Sequence, residues 1–247
     1  MTLWRLEWLR LVRTHRLVAL LAVFGLFGLV GPLSVRYLPE IIRRFGGVEV
    51  VLPPATPADG MAGYVKNAVQ LGLLVLVLVA AGALAFDAQR DSAVFLRTRV
   101  PALWRVVVPK VVVNAAAGAV AFAVGALAAW YETAVLLGGL PAGRTLLGIA
   151  CMAVYLAFAV ALTALAAGVL RGVAGTALTS LGVLLLSALL EPLGTFGRWL
   201  PSRLVGALDG LLRGTAPTSY LAALAVTATL TVAATAAATA LLSRRDV

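Results

Sequence analysis

Apolar residues in this chain fall into long unbroken blocks, not into the alternating or three-to-four spacing of a half-buried strand or helix. Blocks at residues 17–35, 68–86, 111–131, 146–170, 173–190 and 220–242 contain no Asp, Glu, Lys, Arg or His. A helix rises 1.5 Å per residue, so about 20 apolar residues cross about 30 Å of hydrocarbon. Each block has that length. Strands of a membrane barrel would be shorter and would alternate polar with apolar positions. The pattern therefore predicts an all-α integral membrane protein, a single transmembrane domain over residues 1–247 with six spans.

The polar stretches between the blocks predict the remaining elements. Residues 1–16 place Trp4, Trp8, Leu11 and Val12 along one helical face and Glu7, Arg10 and Arg13 towards the other. That is an interfacial amphipathic helix, with its basic residues towards anionic membrane lipid. It serves either as a lipid anchor alone or as a contact for a cytoplasmic partner as well. Residues 86–110, FDAQRDSAVFLRTRVPALWRVVVPK, join spans two and three. Pro101 predicts a turn there, and Pro109 predicts the end of a short helix over 102–108, because proline starts helices and breaks interiors. Five basic residues against Asp87 and Asp91 make this segment either a solvated loop or a docking element for a soluble protein.

On the opposite side, residues 36–67 predict a loop in which 38–45 form a short surface helix ahead of a proline-rich stretch. Residues 191–219 predict short helices that are re-entrant or lie on the surface. Ser202 is placed to cap a helix over 203–213, on which Leu204, Leu208, Leu211 and Leu212 recur at helical spacing. The glycines and prolines of this segment exclude a seventh span. Leu204, Leu208 and Leu211 are thus candidates for an outer gate.

Composition sharpens the class. Only 12% of residues are charged and 62% are hydrophobic, where a soluble domain carries about 25% charged residues. The net charge of +10 would suggest nucleic acid in a soluble protein. In a membrane protein it marks the cytoplasmic flanks, so no nucleic-acid partner is expected. The flanks on the side of the termini hold Arg5, Arg10, Arg13, Arg16, Arg90, Arg97, Arg99, Arg105, Lys110, Arg171, Arg244 and Arg245 against Glu7, Asp87, Asp91 and Asp246. Both termini are accordingly expected in the cytoplasm, in a multi-pass protein of the cytoplasmic membrane. The first block is too long for the apolar region of a secretory signal, which predicts a retained span.

Chemistry is sparse. One cysteine, Cys151, and one histidine, His15, leave too few ligands for a metal site to be expected, and no span holds a base to activate Cys151. Intramembrane charges, which would flag an ion-coupled transporter, are missing from the spans. Thr227, Thr231, Thr235 and Thr239 recur every four residues on the last span. They form either a packing seam or a strip along a substrate path. No GxxxxGK[ST] phosphate loop occurs, so no ATP hydrolysis by a P-loop is expected of this chain, and no cofactor of its own.

Asp87 and Asp91, then Ser92 and Ala93, the apolar run 94–96, Pro101 with Arg105, and Lys110 opening the third span resemble the permeases of type-2 ABC exporters. The order of elements along the chain resembles them as well: interfacial helix, six spans, a large outer segment before the last span, and a basic tail. The resemblance implies that residues 86–110 form a coupling helix, with Asp87, Arg90, Asp91, Arg97, Arg99, Pro101 and Arg105 docking a separate ATPase. It also implies two P-loop ATPase copies that bind ATP and Mg, and a second permease subunit, identical or related. The alternatives are a secondary transporter and a structural anchor subunit.

Overall fold

Helix α1 (Leu3–Arg13) ends where the backbone turns left-handed at His15, with φ 58°. The His15 N–H bonds the Val12 carbonyl at 3.2 Å and the Thr14 N–H bonds the Arg10 carbonyl at 3.0 Å. These bonds satisfy the carbonyls of the last turn, as a left-handed C-terminal cap does. Helix α2 (Arg16–Phe45) starts at once and runs unbroken through Pro32 and Pro39. The computed structural model describes residues 3–45, 54–85, 103–192 and 194–244.

The second span starts well before its apolar block. Pro57 takes the first helical position of α3 (Pro57–Asn67), where its missing N–H costs nothing. The Asp59 carboxylate accepts the Thr56 N–H at 2.8 Å, which closes the N-terminus. A π-helical turn, Ala68–Gly72, joins α3 to α4 (Leu73–Leu84). The Phe24 ring of α2 occupies the space in which a side chain at Gly72 would sit.

Four further long helices complete the bundle: α5 (Trp104–Leu136), α6 (Ala142–Val169), α7 (Val173–Leu190) and, after an irregular segment, α9 (Leu221–Ser243). The segment holds two 3₁₀ turns, Gly194–Trp199 and Pro201–Leu204, then the short α8 (Ala207–Leu212) and a third 3₁₀ turn, Pro217–Tyr220. The described residues contain no strand, and six helices among them are long and apolar enough to cross a membrane. An even number of crossings puts α1 and the end of α9 on one side, here called the termini face. The far face holds α8 and the 3₁₀ turns.

Helix α6 is the centre of the bundle. Met152, Tyr155, Leu156, Ala159, Val160 and Ala164 are buried along it, with α4, α5, α7, α8 and α9 packed around. Helix α2 stands outside this ring against α5 and α3. Apolar burial cannot select partners when lipid is equally apolar, so close backbone approach does. A Cβ on Gly28 would fall against the Gly125 carbonyl, and one on Gly125 against the carbonyl of Phe24. Beside this crossing the buried Tyr64 hydroxyl donates to the Phe122 carbonyl at 2.7 Å, which satisfies its one polar atom. The Phe122 ring meets Phe24 edge-on, with centroids 5.9 Å apart.

Several boundaries differ from the sequence expectation. Residues 38–45 are the end of α2, not a separate surface helix. Residues 57–67, read as loop, are helical because Met61, Tyr64 and Val65 bury against neighbouring helices. Pro109 does not stop a helix: α5 passes through it, and Val106, Val107, Val111 and Val113 are buried on both sides. That continuous burial outweighs the one backbone bond a proline removes. Gly206 separates Pro201–Leu204 from α8, so the single helix expected over 203–213 is divided. Ser202 caps nothing there; its hydroxyl donates to the Ser187 carbonyl of α7 at 3.0 Å.

Candidate functional site

Three places in the bundle gather the residues that carry functional interest. The first lies on the termini face. Leu3, Glu7 and Leu11 follow one another at steps of four on α1, and Leu11 is buried while Trp4 and Trp8 are 47% and 44% exposed. Of Trp4, Trp8, Leu11 and Val12, which the spacing places on one face of this helix, Leu11 alone is buried. Its tryptophans face outwards, and the face turned to the bundle includes an acid. Glu7 is turned inwards because Lys110 of α5 meets it, Nζ to Oε1, at 2.8 Å, with the lysine side chain 2% exposed. A buried cation needs such a partner, since the cost of desolvating it is several kcal/mol. Arg10 and Arg13 remain exposed, and Arg16 at the start of α2 lies over Gly82 of α4.

The docking residues implied by the family resemblance divide between described and undescribed positions. Asp87, Arg90, Asp91, Arg97, Arg99 and Pro101 lie outside the described residues. Arg105 lies within them, exposed on the first turn of α5, its guanidinium 5.6 Å from the Trp104 ring centroid. Five residues further along the same helix, Lys110 makes the contact to α1. The start of α5 is thus attached mechanically to α1.

The second place is a groove of about 620 Å³ between α5 and α9, floored by Ala153 and Ala157 of α6. Thr231, Thr235 and Thr239 line it, while Thr227 is fully buried. The four hydroxyls donate to carbonyls of their own helix, of Ala223, Thr227, Thr231 and Ala236, at 2.6–2.8 Å. No hydroxyl proton is left for a ligand. The threonine strip is therefore part buried and part groove wall, with its hydroxyl protons held by its own helix. Nearby on α5, Asn114 donates to the Lys110 carbonyl at 2.8 Å, and its buried Oδ1 has no partner among the described residues.

The third place is the far face. Leu204, Leu208 and Leu211 are 0%, 1% and 0% exposed, seated against the bundle. A Cβ on Gly148 of α6 would collide with Leu208, so this glycine makes room for α8. Arg213 holds the segment to α3, with Nη2 2.6 Å from Asp59 Oδ1 and Nε 2.7 Å from Asp209 Oδ1. The hydrogen bonds that Arg213 donates, first to Asp59 and then to Asp209, push its pKa up. Arg203 lies over the Tyr220 ring, 5.6 Å from its centroid, and 3.9 Å from Glu191.

Among the described residues no three of His, Cys, Asp and Glu are grouped to hold a metal. The free Cys151 is buried in α6. Sequence reasoning missed Glu7 and Lys110 as a pair, although one signal was present: a lone acid flanked by leucines four residues away on either side.

No protein-family model matches the chain, and neither a curated protein nor a solved structure does.

Proposed function

We propose that this chain is the membrane-spanning permease subunit of an ATP-binding cassette exporter, moving an apolar or amphipathic substrate across the cytoplasmic membrane with both termini in the cytoplasm. The observation that carries the reading is the attachment of α5 to α1 through Lys110 and Glu7. A push on the residues leading into α5 is delivered to a span and to an interfacial helix together. Such a surface suits a soluble motor. Two copies of a separate P-loop ATPase supply ATP and Mg, and two permease subunits, identical or related, face each other. The chain itself binds no nucleotide in this reading. ATP-driven closure of the ATPase pair favours one arrangement of the spans through differential binding to the segment from Asp87 to Arg105. Leu204, Leu208 and Leu211 then act as the outer gate.

Purification tests the reading. The chain extracted in mild detergent is expected to bring a P-loop ATPase with it. Reversing Arg97 and Arg105 to Glu is expected to release the ATPase or to uncouple hydrolysis from transport, because like charges at an interface cost several kcal/mol. Reversal of Arg244 and Arg245 serves as the control. Recovery of the chain without any ATPase, together with transport driven by an ion gradient, would replace this reading by a secondary transporter.

A further inference from the structure

The second span carries polar side chains on a face that nothing among the described residues covers. Lys66, Gln70, Leu74 and Leu78 follow one another at steps of four, and all are exposed. Neither Lys66 nor Gln70 makes a hydrogen bond or an ion pair among the described residues. Gln70 is the middle residue of the π-helical turn.

The depth of Gln70 follows from two contacts with α2. A Cβ on Gly31 would fall against the Tyr64 backbone, and the Phe24 ring fills the place of a side chain at Gly72. Gly31 and Phe24 lie fourteen and seven residues beyond Leu17, where the first apolar block starts. At about 1.5 Å per residue both contacts set Gln70 about 12–14 Å into a hydrocarbon core of about 30 Å. That is near its middle, out of reach of either headgroup layer. Lipid tails supply no hydrogen bond, and an amide left without one there costs several kcal/mol.

We infer that this face is a contact between two copies of the chain, closed by hydrogen bonds between their Gln70 amides. A carboxamide both donates and accepts, so the same residue on a two-fold partner satisfies it, and an axis along the membrane normal brings the two to one depth. Leu74 and Leu78 continue the contact towards the termini face. Lys66, one turn nearer the far face, is long enough to carry its ammonium towards the headgroups, which keeps the two charges apart. The contact itself needs only the bilayer and this chain, while the part of the pair in transport rests on the exporter reading. In that reading the second permease subunit becomes an identical copy, and failure of the contact leaves a related chain in its place.

Cysteine cross-linking in native membranes tests the contact. In the chain with Cys151 replaced by Ala, Gln70→Cys and Leu74→Cys should each give a disulfide-linked dimer on oxidation with copper phenanthroline. Leu26→Cys, exposed on α2 at the same depth, should stay monomeric. Two differently tagged copies should co-purify; Gln70→Leu should weaken their pairing roughly three- to tenfold, and Gln70→Asn should weaken it less. Equal cross-linking at Gln70 and Leu26, or none at Gln70 and Leu74, would overturn the contact. So would reaction of Gln70→Cys with an impermeant thiol reagent, which would put water along this face, or its cross-linking to a different chain alone. A dimer cross-linked at Gln70 in a preparation without any ATPase would support the contact and remove the exporter reading.

Discussion

Glu7 and Lys110, 103 residues apart in sequence, meet at 2.8 Å with the lysine buried. The pair attaches an interfacial helix to a span, and its energetics are asymmetric. Removing one partner takes the ion pair away from a buried charge, at a cost of up to about 3–5 kcal/mol, whereas replacing both by apolar residues is often neutral. Lys110→Met and Glu7→Leu should each lower the thermal midpoint in detergent clearly. The double variant should recover most of the loss. Strictly additive losses would show that the two residues act separately.

The crossing of α2 and α5 provides a contrast between glycines on one helix. Gly28→Ala places a methyl on the Gly125 carbonyl, so the helices must part, while a Cβ at Gly25 meets nothing within 4 Å. Overpacking of this kind costs about 1–3 kcal/mol or more. Gly25→Ala should instead be neutral or stabilising by up to about 1 kcal/mol, the difference in helix propensity. Thermal unfolding of the two variants side by side measures this. Equal behaviour would contradict the close approach.

His15 occupies a left-handed position with φ 58°, which costs an L-residue with a Cβ about 1–2 kcal/mol. His15→Gly should remove much of that cost and His15→Ala should not. Hydrogen exchange of the α1 amides reads the effect locally. Slower exchange in the glycine variant is the expected result.

Thr14 and Thr56 lie at opposite ends of the bundle, and both are exposed. With Cys151 replaced by Ala, Thr14→Cys should react with an impermeant thiol reagent only from the cytoplasm, and Thr56→Cys only from outside. Labelling of both from one side would refute six crossings. Labelling of each from the side opposite to that expected would invert the orientation and leave the fold intact.

The apolar blocks were legible because hydrocarbon imposes one requirement, and runs free of charge satisfy it. Helix ends were harder to read. PADGMAGYVKN reads as loop on composition, yet Tyr64 and Met61 find buried sites on neighbouring helices, and that tertiary contact extends the helix. The division at Gly206 and the bond from Ser202 to the Ser187 carbonyl also depend on neighbours that local sequence does not name. Orientation of α1 was the least legible feature. Its tryptophan face is the more apolar, but the charge at Lys110 draws Glu7 to the bundle, and a pairing over such a distance in sequence leaves only a faint local trace. The threonine strip was visible as a face; the groove beside it was not.

The link from α6 to α7 holds only Leu170, Arg171 and Gly172 between the two helices. Three extended residues reach only about 10 Å, far short of a hydrocarbon core of about 30 Å, so two spans joined in this way can only run antiparallel, as a hairpin whose joined ends share one face. Arg171, the single charge in that link, therefore acts on both helices at once, since basic residues in short loops carry the orientation bias. The direction of one helix fixes that of the other, and neutralising Arg171 removes the one charge that biases both.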